Sequence, residues 1–140
     1  MQVQPYLSFE GRAEEAIEFY KKAVGAKVTM LMRNSEMPEA PPPGMITPGT
    51  EQKILHSAMT IGDTVVMATD GYCSGKPKFE GISLSLSVKD DAEAKRLFES
   101  LADGGEVTLP LSKAFFASSF GMVKDRFGVP WMVSTPAGDQ

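Results

Sequence analysis

The chain repeats itself, and this constrains its fold more than any other feature. When the sequence is shifted by 79 positions, Phe9 aligns with Val88, Phe19 with Phe98 and Gly25 with Gly104. Each copy reads as a strand, an amphipathic helix, a glycine and another strand. The repeat therefore predicts one domain, residues 1–140, built from two similar modules at about residues 1–79 and 80–140.

Two segments, residues 11–26 and 89–105, carry apolar residues at helical spacing. The stripes are Ala16, Phe19, Tyr20, Ala23 and Val24 in the first, and Ala94, Leu97, Phe98, Leu101 and Ala102 in the second. Gly25 and Gly104 follow as helix stops. Asp90 or Asp91 is the expected N-cap of the second helix.

Strand patterns with a period of two surround both helices. Residues 82–88 alternate apolar residues with Ser83, Ser85 and Ser87. Near the N-terminus, Pro5, Leu7 and Phe9 oppose Gln4, Tyr6 and Ser8. Further strands are predicted at residues 26–33, 52–61, 64–69, 105–110, 119–125 and 129–135.

The first module is longer than the second because of one insertion. Gly62 matches Gly128 at an offset of 66 rather than 79, a difference of 13 residues. Residues 37–49, with five prolines and two glycines, account for it and cannot hold a helix or a central strand. The segment is open to three interpretations: a lid, a dimer arm or a disordered connector.

The pattern predicts an α+β fold of tandem βαβββ modules, forming a curved mixed sheet with the helices on its convex face. The other face would line a cleft. On the closing strand, Val129, Trp131 and Val133 would pack toward the helices. Pro130, Met132 and Ser134 would point into the cleft.

Composition excludes several classes of function. A formal net charge of −4 and a pI near 5.0 give no electrostatic footprint for nucleic acid. No signal peptide and no apolar run of roughly 20 residues is visible, so we expect a cytoplasmic protein that does not enter membranes.

Cys73 is the single cysteine, which excludes an internal disulfide. It lies on a predicted loop, as a reactive thiol or an inert one.

Four segments together resemble one known family. They are PYLSFEGRAEEAIEFY (5–20), EMP (36–38), HSAMTIGDTVVMATD (56–70) and FGMVKDRFGVPWM (120–132). They resemble the PhnB-like branch of the vicinal oxygen chelate superfamily, which includes glyoxalase I and the bleomycin-resistance proteins. The resemblance implies a glyoxalase-like fold, a homodimer and a pocket on each concave sheet, but no particular reaction. The sequence shows no Gly-rich strand-to-helix turn of the kind that holds S-adenosylmethionine.

The superfamily's chemistry uses a divalent cation bound by side chains of the first and closing strands of each module. Carried onto this chain, those positions fall at Gln4, Val66, Ser83 and Met132. Hard divalent ions prefer imidazole nitrogen or carboxylate oxygen, and none of the four supplies either. We therefore expect no metal site and no cofactor.

His56 is the only histidine and the only candidate catalytic residue. It is either a general base or ligand-orienting donor in the cleft, or a hydrogen-bonded structural histidine. Its predicted strand face also carries Ile54, Ala58 and Thr60. The residues expected to bind a ligand are Gln4, Tyr6, Ser8, His56, Ser83, Ser85 and Met132.

Two further groups are ambiguous. Glu36 and Asp70 would either guard a pocket mouth or lie solvated on loops. Phe115, Phe116 and Phe120 would wall a pocket, form a dimer contact or belong to the core.

These features predict a homodimer that binds or sequesters a small organic ligand without the superfamily metal. The alternative is an enzyme of lyase, isomerase or dioxygenase type, using His56 or an atypical metal site.

Overall fold

A computed structural model describes residues 1–44 and 46–137. The chain forms two compact units, Met1–Pro77 and the segment from Lys78 onward. The first contains β1 (Tyr6–Ser8), α1 (Ala13–Ala23), β2 (Lys27–Arg33), a short 3-10 helix (Asn34–Glu36), β3 (Ile54–Ile61) and β4 (Thr64–Thr69). The second contains β5 (Leu84–Ser87), α2 (Asp91–Ala102), β6 (Glu106–Ala114), β7 (Ala117–Lys124) and β8 (Pro130–Pro136).

Each unit is a βαβββ module with its own mixed four-stranded sheet. The strand order is β1-β4-β3-β2 in the first unit and β5-β8-β7-β6 in the second. In both, the first strand runs parallel to the last, and the other neighbours are antiparallel. The predicted α+β class and the paired βαβββ modules are confirmed.

One face of each sheet is buried with a helix. In the first unit Leu7 and Phe9 are buried, and the Phe9 ring contacts the buried Tyr20 of α1 at a centroid distance of 6.1 Å. On β8, Val129, Trp131 and Val133 are buried while Pro130, Met132 and Ser134 are half-buried. The predicted alternation of the closing strand is therefore confirmed.

The helix ends also agree with the sequence, with one ambiguity resolved. The Asp90 side chain accepts the Glu93 N–H at 2.8 Å, so Asp90 rather than Asp91 is the N-cap of α2. Gly25 and Gly104, just beyond the two helices, have φ of 68° and 78°. This is the left-handed conformation, which favours glycine. Arg12 at the start of α1 provides no side-chain cap.

The hairpin of β6 and β7 is longer than predicted. Pairing of Ala114 with Ala117 leaves Phe115 and Phe116 as a two-residue turn. The predicted strand, residues 105–110, ends at Pro110, and proline cannot donate to a ladder. However, β6 is an edge strand, where a missing N–H can face away from its neighbour.

A bulge corrects the prediction that Ile54 shares a face with His56. Met32 pairs with His56 but Arg33 pairs with Ile54, so β3 has one extra residue, Leu55, at this point. The alternation is broken there. Ile54 is buried at 1% exposure, whereas His56 is half-buried.

The inserted segment 37–49 is tied down near its end. The Thr47 hydroxyl donates to the Tyr72 carbonyl at 2.9 Å. The Asn34 side-chain amide donates to the Thr50 carbonyl at 2.9 Å. Met45, within the segment, lies outside the described residues.

Candidate functional site

A row of four side chains crosses the first sheet on the face opposite its buried side. Backbone pairing places Tyr6 beside Met67, Met67 beside Ala58, and Ala58 beside Met30. On the same face, the next pair along β3 and β2 is His56 with Met32. We call this surface the Tyr6–His56 face; it consists of Tyr6, Met30, Met32, His56, Ala58 and Met67.

The face is partly open and mostly apolar. Tyr6 and Met30 are 51% and 41% exposed, and the other four side chains are half-buried. Ala58 lies between two long thioether side chains, so a methyl group forms the lowest point of the row. Methionine suits such a surface because its flexible, polarisable side chain adapts to different apolar shapes.

Tyr6 and His56 form the polar centre of this face. The Tyr6 hydroxyl and His56 Nδ1 lie 3.1 Å apart. Their rings are stacked, with centroids 5.4 Å apart and an interplanar angle of 21°. Two predicted ligand-binding residues are thus brought together although 50 positions separate them in the chain.

Ser8 and Gln4, also predicted ligand-binding residues, are engaged elsewhere. The Ser8 hydroxyl donates to the Glu10 carboxylate. Burial works to raise the pKa of Glu10, but hydrogen bonds from Ser8, Ser74 and the Tyr72 amide outweigh it, and the pKa is lowered. The Gln4 side-chain amide donates to the Gln2 side chain at 3.1 Å.

The second sheet has a corresponding row without the polar pair. Pairing places Ser85 beside Met132, Met132 beside Met122, and Met122 beside Leu109. Ser83, Ser85 and Ser87 are all exposed. Phe120, two residues before Met122, matches His56, and Ser85 matches Tyr6. The two modules thus share a scaffold, but only the first carries the tyrosine and histidine.

The same comparison corrects one of the four superfamily metal positions. Met132 pairs with Ser85 on the first strand of its module, and Met67 pairs with Tyr6 on the first strand of its own. Met67, not Val66, is therefore the counterpart of Met132. Val66 is 4% exposed and lies on the helix-packed face.

The residues at these positions do not fit a hard divalent cation. Two thioethers, an amide and a hydroxyl replace the expected imidazoles and carboxylates. His56 is on β3 rather than on a first or closing strand, and its Nδ1 is engaged with Tyr6. Within residues 1–44 and 46–137, no three His, Cys, Asp or Glu side chains are grouped so as to hold a metal ion.

The two loop acids have structural contacts. Asp70 is 1% exposed, so it is neither solvated nor at a pocket mouth. Its carboxylate accepts the N–H groups of Gly11, Ala13 and Ile54 at 3.1, 2.8 and 2.7 Å. Glu36 is exposed and accepts the Arg33 N–H at 2.8 Å.

The three phenylalanines form an aromatic cluster at the tip of the β6–β7 hairpin. Phe116 contacts Phe115 and Phe120 edge-on, at centroid distances of 5.1 and 5.0 Å. Phe115 is 97% and Phe116 50% exposed, so these two do not belong to the core.

Comparison with known proteins gives the family. The model of the family described as 3-demethylubiquinone-9 3-methyltransferase matches residues 1–134. The chain belongs to this PhnB-like family. It is 36% identical to the Escherichia coli K12 protein YjdN over 141 residues, which cover 96% of this chain and 95% of that protein. The predicted resemblance is confirmed.

Solved structures of PhnB-like proteins and their relatives share the fold. Protein PA1353 from Pseudomonas aeruginosa superposes with a TM-score of 0.83 at 37% identity, covering 97% of this chain and 98% of that one. A Bacillus cereus PhnB protein gives 0.78 at 26% identity, covering 96% and 99%. A glyoxalase-related enzyme from Fulvimarina pelagi, at 18% identity and a TM-score of 0.61, covers 99% and 93% and shows the fold alone.

One further finding concerns membranes. Among the described residues of this PhnB-like chain, no helix is long and apolar enough to cross a bilayer.

Proposed function

We propose that this PhnB-like protein binds a small organic ligand on the Tyr6–His56 face, without the superfamily metal. One observation carries the proposal: a hydrogen-bonded, stacked tyrosine and histidine lie on an otherwise apolar, methionine-rich surface. Small-molecule sites typically combine apolar walls with a few polar groups that fix the ligand's orientation. The ligand's apolar body would lie over Ala58, between Met67 and Met30.

The metal-free form of the proposal follows from the chemistry of the available side chains. A soft thioether at Met67 and at Met132 is a poor ligand for Mg²⁺, Mn²⁺ or Zn²⁺. Superfamily reactions that stabilise an enolate on such an ion would have no ligand set at these positions.

Methyl transfer, named in the family's description, is not proposed. The two strand-to-helix connections are residues 9–12 and 88–90. Together they contain one glycine, Gly11. A Gly-rich turn is what lets backbone approach a bound nucleotide-like cofactor closely.

A thermal-shift screen with small aromatic and aliphatic compounds tests ligand binding. A compound at 100 times its dissociation constant should stabilise the chain by about 2.7 kcal/mol, a shift of several degrees for a domain of this size. Hits are then mapped by NMR of ¹³C-methyl methionine. The signals of Met30, Met32 and Met67 should move, while that of buried Met59 should not.

Matched variants locate the site. Ala58→Trp fills the lowest point of the row and should weaken binding at least tenfold. Met122→Trp makes the corresponding change in the second module and should not. Equal effects of both variants, or perturbation of Met132 and Met122 alone, would contradict the proposed location.

Elemental mass spectrometry tests the metal-free form. Untagged protein incubated with Mn, Fe, Co, Ni and Zn should retain well under one ion per chain. Stoichiometric retention of one metal would return chelate chemistry to first place.

The Tyr6–His56 pair also favours a second candidate, an enzyme in which His56 transfers a proton to or from the ligand. The two candidates differ in product formation. Ligand recovered unchanged after long incubation supports binding alone. A new product that His56→Gln protein fails to form supports the enzyme.

We propose in addition that the protein is a homodimer, which the aromatic hairpin tip supports. Phe115 and Phe116, with Leu109 at 41% exposure on the face of Met122, leave the hairpin with exposed apolar side chains that a second copy could cover. Light scattering at micromolar concentration should report twice the 15.1 kDa chain mass. A species of 15.1 kDa would contradict this.

A further inference from the structure

The tautomer of His56 follows from its contact with Tyr6. A neutral imidazole has one nitrogen that donates and one that accepts. The phenol O–H is a good donor, and the unprotonated ring nitrogen is a good acceptor. The 3.1 Å contact is therefore best satisfied when Tyr6 donates to Nδ1, which leaves the hydrogen on Nε2.

The Nε2–H group is then available to a ligand. Within the described residues the His56 side chain has no other hydrogen-bond partner. The His56 side chain is half-buried, and no fully buried side-chain nitrogen of the described residues lacks a hydrogen-bond partner, so this donor reaches the surface and meets either water or a bound molecule. A donation from Nε2 would also strengthen the Tyr6 bond, because hydrogen bonds in a chain polarise one another.

The side chains around Nε2–H determine which other features a ligand needs. Met32 lies beside His56, and Met67, Ala58 and Met30 form the adjacent row. None of these four side chains offers a hydrogen-bond donor, so Nε2–H is the strong donor of this patch. A ligand whose apolar body covers the row displaces water from Nε2–H. It must then supply an acceptor at that point, because a buried donor without an acceptor costs binding free energy.

We infer that the ligand of the Tyr6–His56 face carries an acceptor oxygen, a carbonyl or carboxylate, on an apolar body, and that Tyr6 holds His56 in the tautomer that binds it. This rests on the proposed function and narrows its ligand class. Tyr6 acts as a positioning residue, and His56 is the residue that touches the ligand. The second module, with Ser85 and Phe120 at the matching positions, has no such pair.

The tautomer can be measured directly, with no ligand present. His56 is the only histidine, so long-range ¹H–¹⁵N correlation spectra of the full chain contain one imidazole. The wild-type protein should show the hydrogen on Nε2. Tyr6→Phe should shift both ring nitrogens toward the averaged values of a free imidazole. A wild-type spectrum with the hydrogen on Nδ1 would overturn the inference.

Ligand class is tested with three probes that share one ring system: 2-naphthoate, 2-acetylnaphthalene and 2-ethylnaphthalene. The first two carry an anionic and a neutral acceptor oxygen, and the third carries none. Titration followed by Met67 methyl shifts should give dissociation constants about tenfold lower for at least one oxygen-bearing probe than for the hydrocarbon.

Two variants link the preference to His56. His56→Phe should remove the preference while retaining 2-ethylnaphthalene binding, and His56→Gln, which keeps an amide donor, should retain part of it. Circular dichroism checks that both fold. Equal affinity of all three probes for the wild type would overturn the inference but not the proposed function. Failure of all three to shift Met67 would contradict both.

Discussion

The carboxylate of Asp70 accepts the backbone N–H of Ala13, 57 residues earlier in the chain, at 2.8 Å. Ala13 is the first residue of α1, whose own N-cap residue, Arg12, supplies no side-chain cap. A residue at the end of β4 thus performs the task that a serine or aspartate usually performs locally. The same carboxylate also binds the amides of Gly11 and Ile54.

Removing this carboxylate should be costly. Asp70→Ala leaves three N–H groups without their acceptor in a buried setting, so we expect a loss of about 3 kcal/mol or more in the free energy of unfolding. Asp70→Asn keeps one acceptor oxygen but turns an NH₂ group toward a donor, and should cost roughly 1–3 kcal/mol. Urea titration measures both. The exposed Asp63→Asn is the control, and a comparable loss there would contradict the explanation.

Glu10 should make stability depend on pH. Its pKa is lowered in the folded chain from an ordinary value of 4.5, so the unfolded chain binds the proton more readily. The stabilisation is therefore complete above pH 4.5 and is lost as pH falls through the folded pKa. Glu10→Gln should lower the unfolding free energy at pH 7, and the difference from wild type should shrink at pH 3. The same difference at both pH values, or a similar trend for the exposed Glu39→Gln, would count against this.

Gly121 allows α2 to approach β7 closely. A Cβ atom there would lie 2.8 Å from the Phe98 ring and 2.9 Å from the Leu111 backbone. Gly121→Ala should therefore cost about 2 kcal/mol through overpacking. Adding Phe98→Leu should recover part of the loss, because one of the two clashes involves that ring. Strictly additive losses in urea titrations of the double variant would show that the clash lies elsewhere.

Cys73 should be a slow thiol. Burial raises its pKa, and the nearby charges of Asp70 and Glu10 add to the effect. Since the thiolate is the reactive form, iodoacetamide at pH 7.5 should alkylate the folded protein several-fold more slowly than it alkylates glutathione. The urea-unfolded chain should react at the free rate. Faster reaction in the folded state would restore the reactive-thiol interpretation.

Much of the fold is readable from the repeat. Both helices, eight strands and the α2 cap follow from periodicity, glycines and aspartates, which act within a few residues. The errors come from longer-range effects. From the sequence, Pro110 indicates a strand end, because the edge position that allows proline within β6 is not visible there. Ile54 lies on the opposite face from His56 only because of the bulge at Leu55.

The site was less predictable, for the same reason. Tyr6 could be proposed because it shares a strand face with Gln4 and Ser8, and His56 because it is the only histidine, but their contact depends on two strand pairings through β4. The Gly62–Gly128 alignment places Val66, rather than Met67, opposite Met132, because it ignores the unequal lengths of the two hairpins. Ile61 pairs with Thr64 across two residues, whereas Lys124 pairs with Pro130 across five. Asp70 has no local sequence signal for its task.

The Asp70 contacts also bear on how the first module opens. The Asp70 carboxylate binds backbone N–H groups that lie 16, 57 and 59 positions earlier in the chain. It therefore links the end of β4 to β3 and to the start of α1. Fraying of α1 from its N-terminus would withdraw the N–H groups of Gly11 and Ala13 from the buried Asp70 carboxylate, which makes partial opening unfavourable. In hydrogen exchange, the amides of Gly11, Ala13 and Ile54 should consequently behave as one group, released together when the module unfolds as a whole.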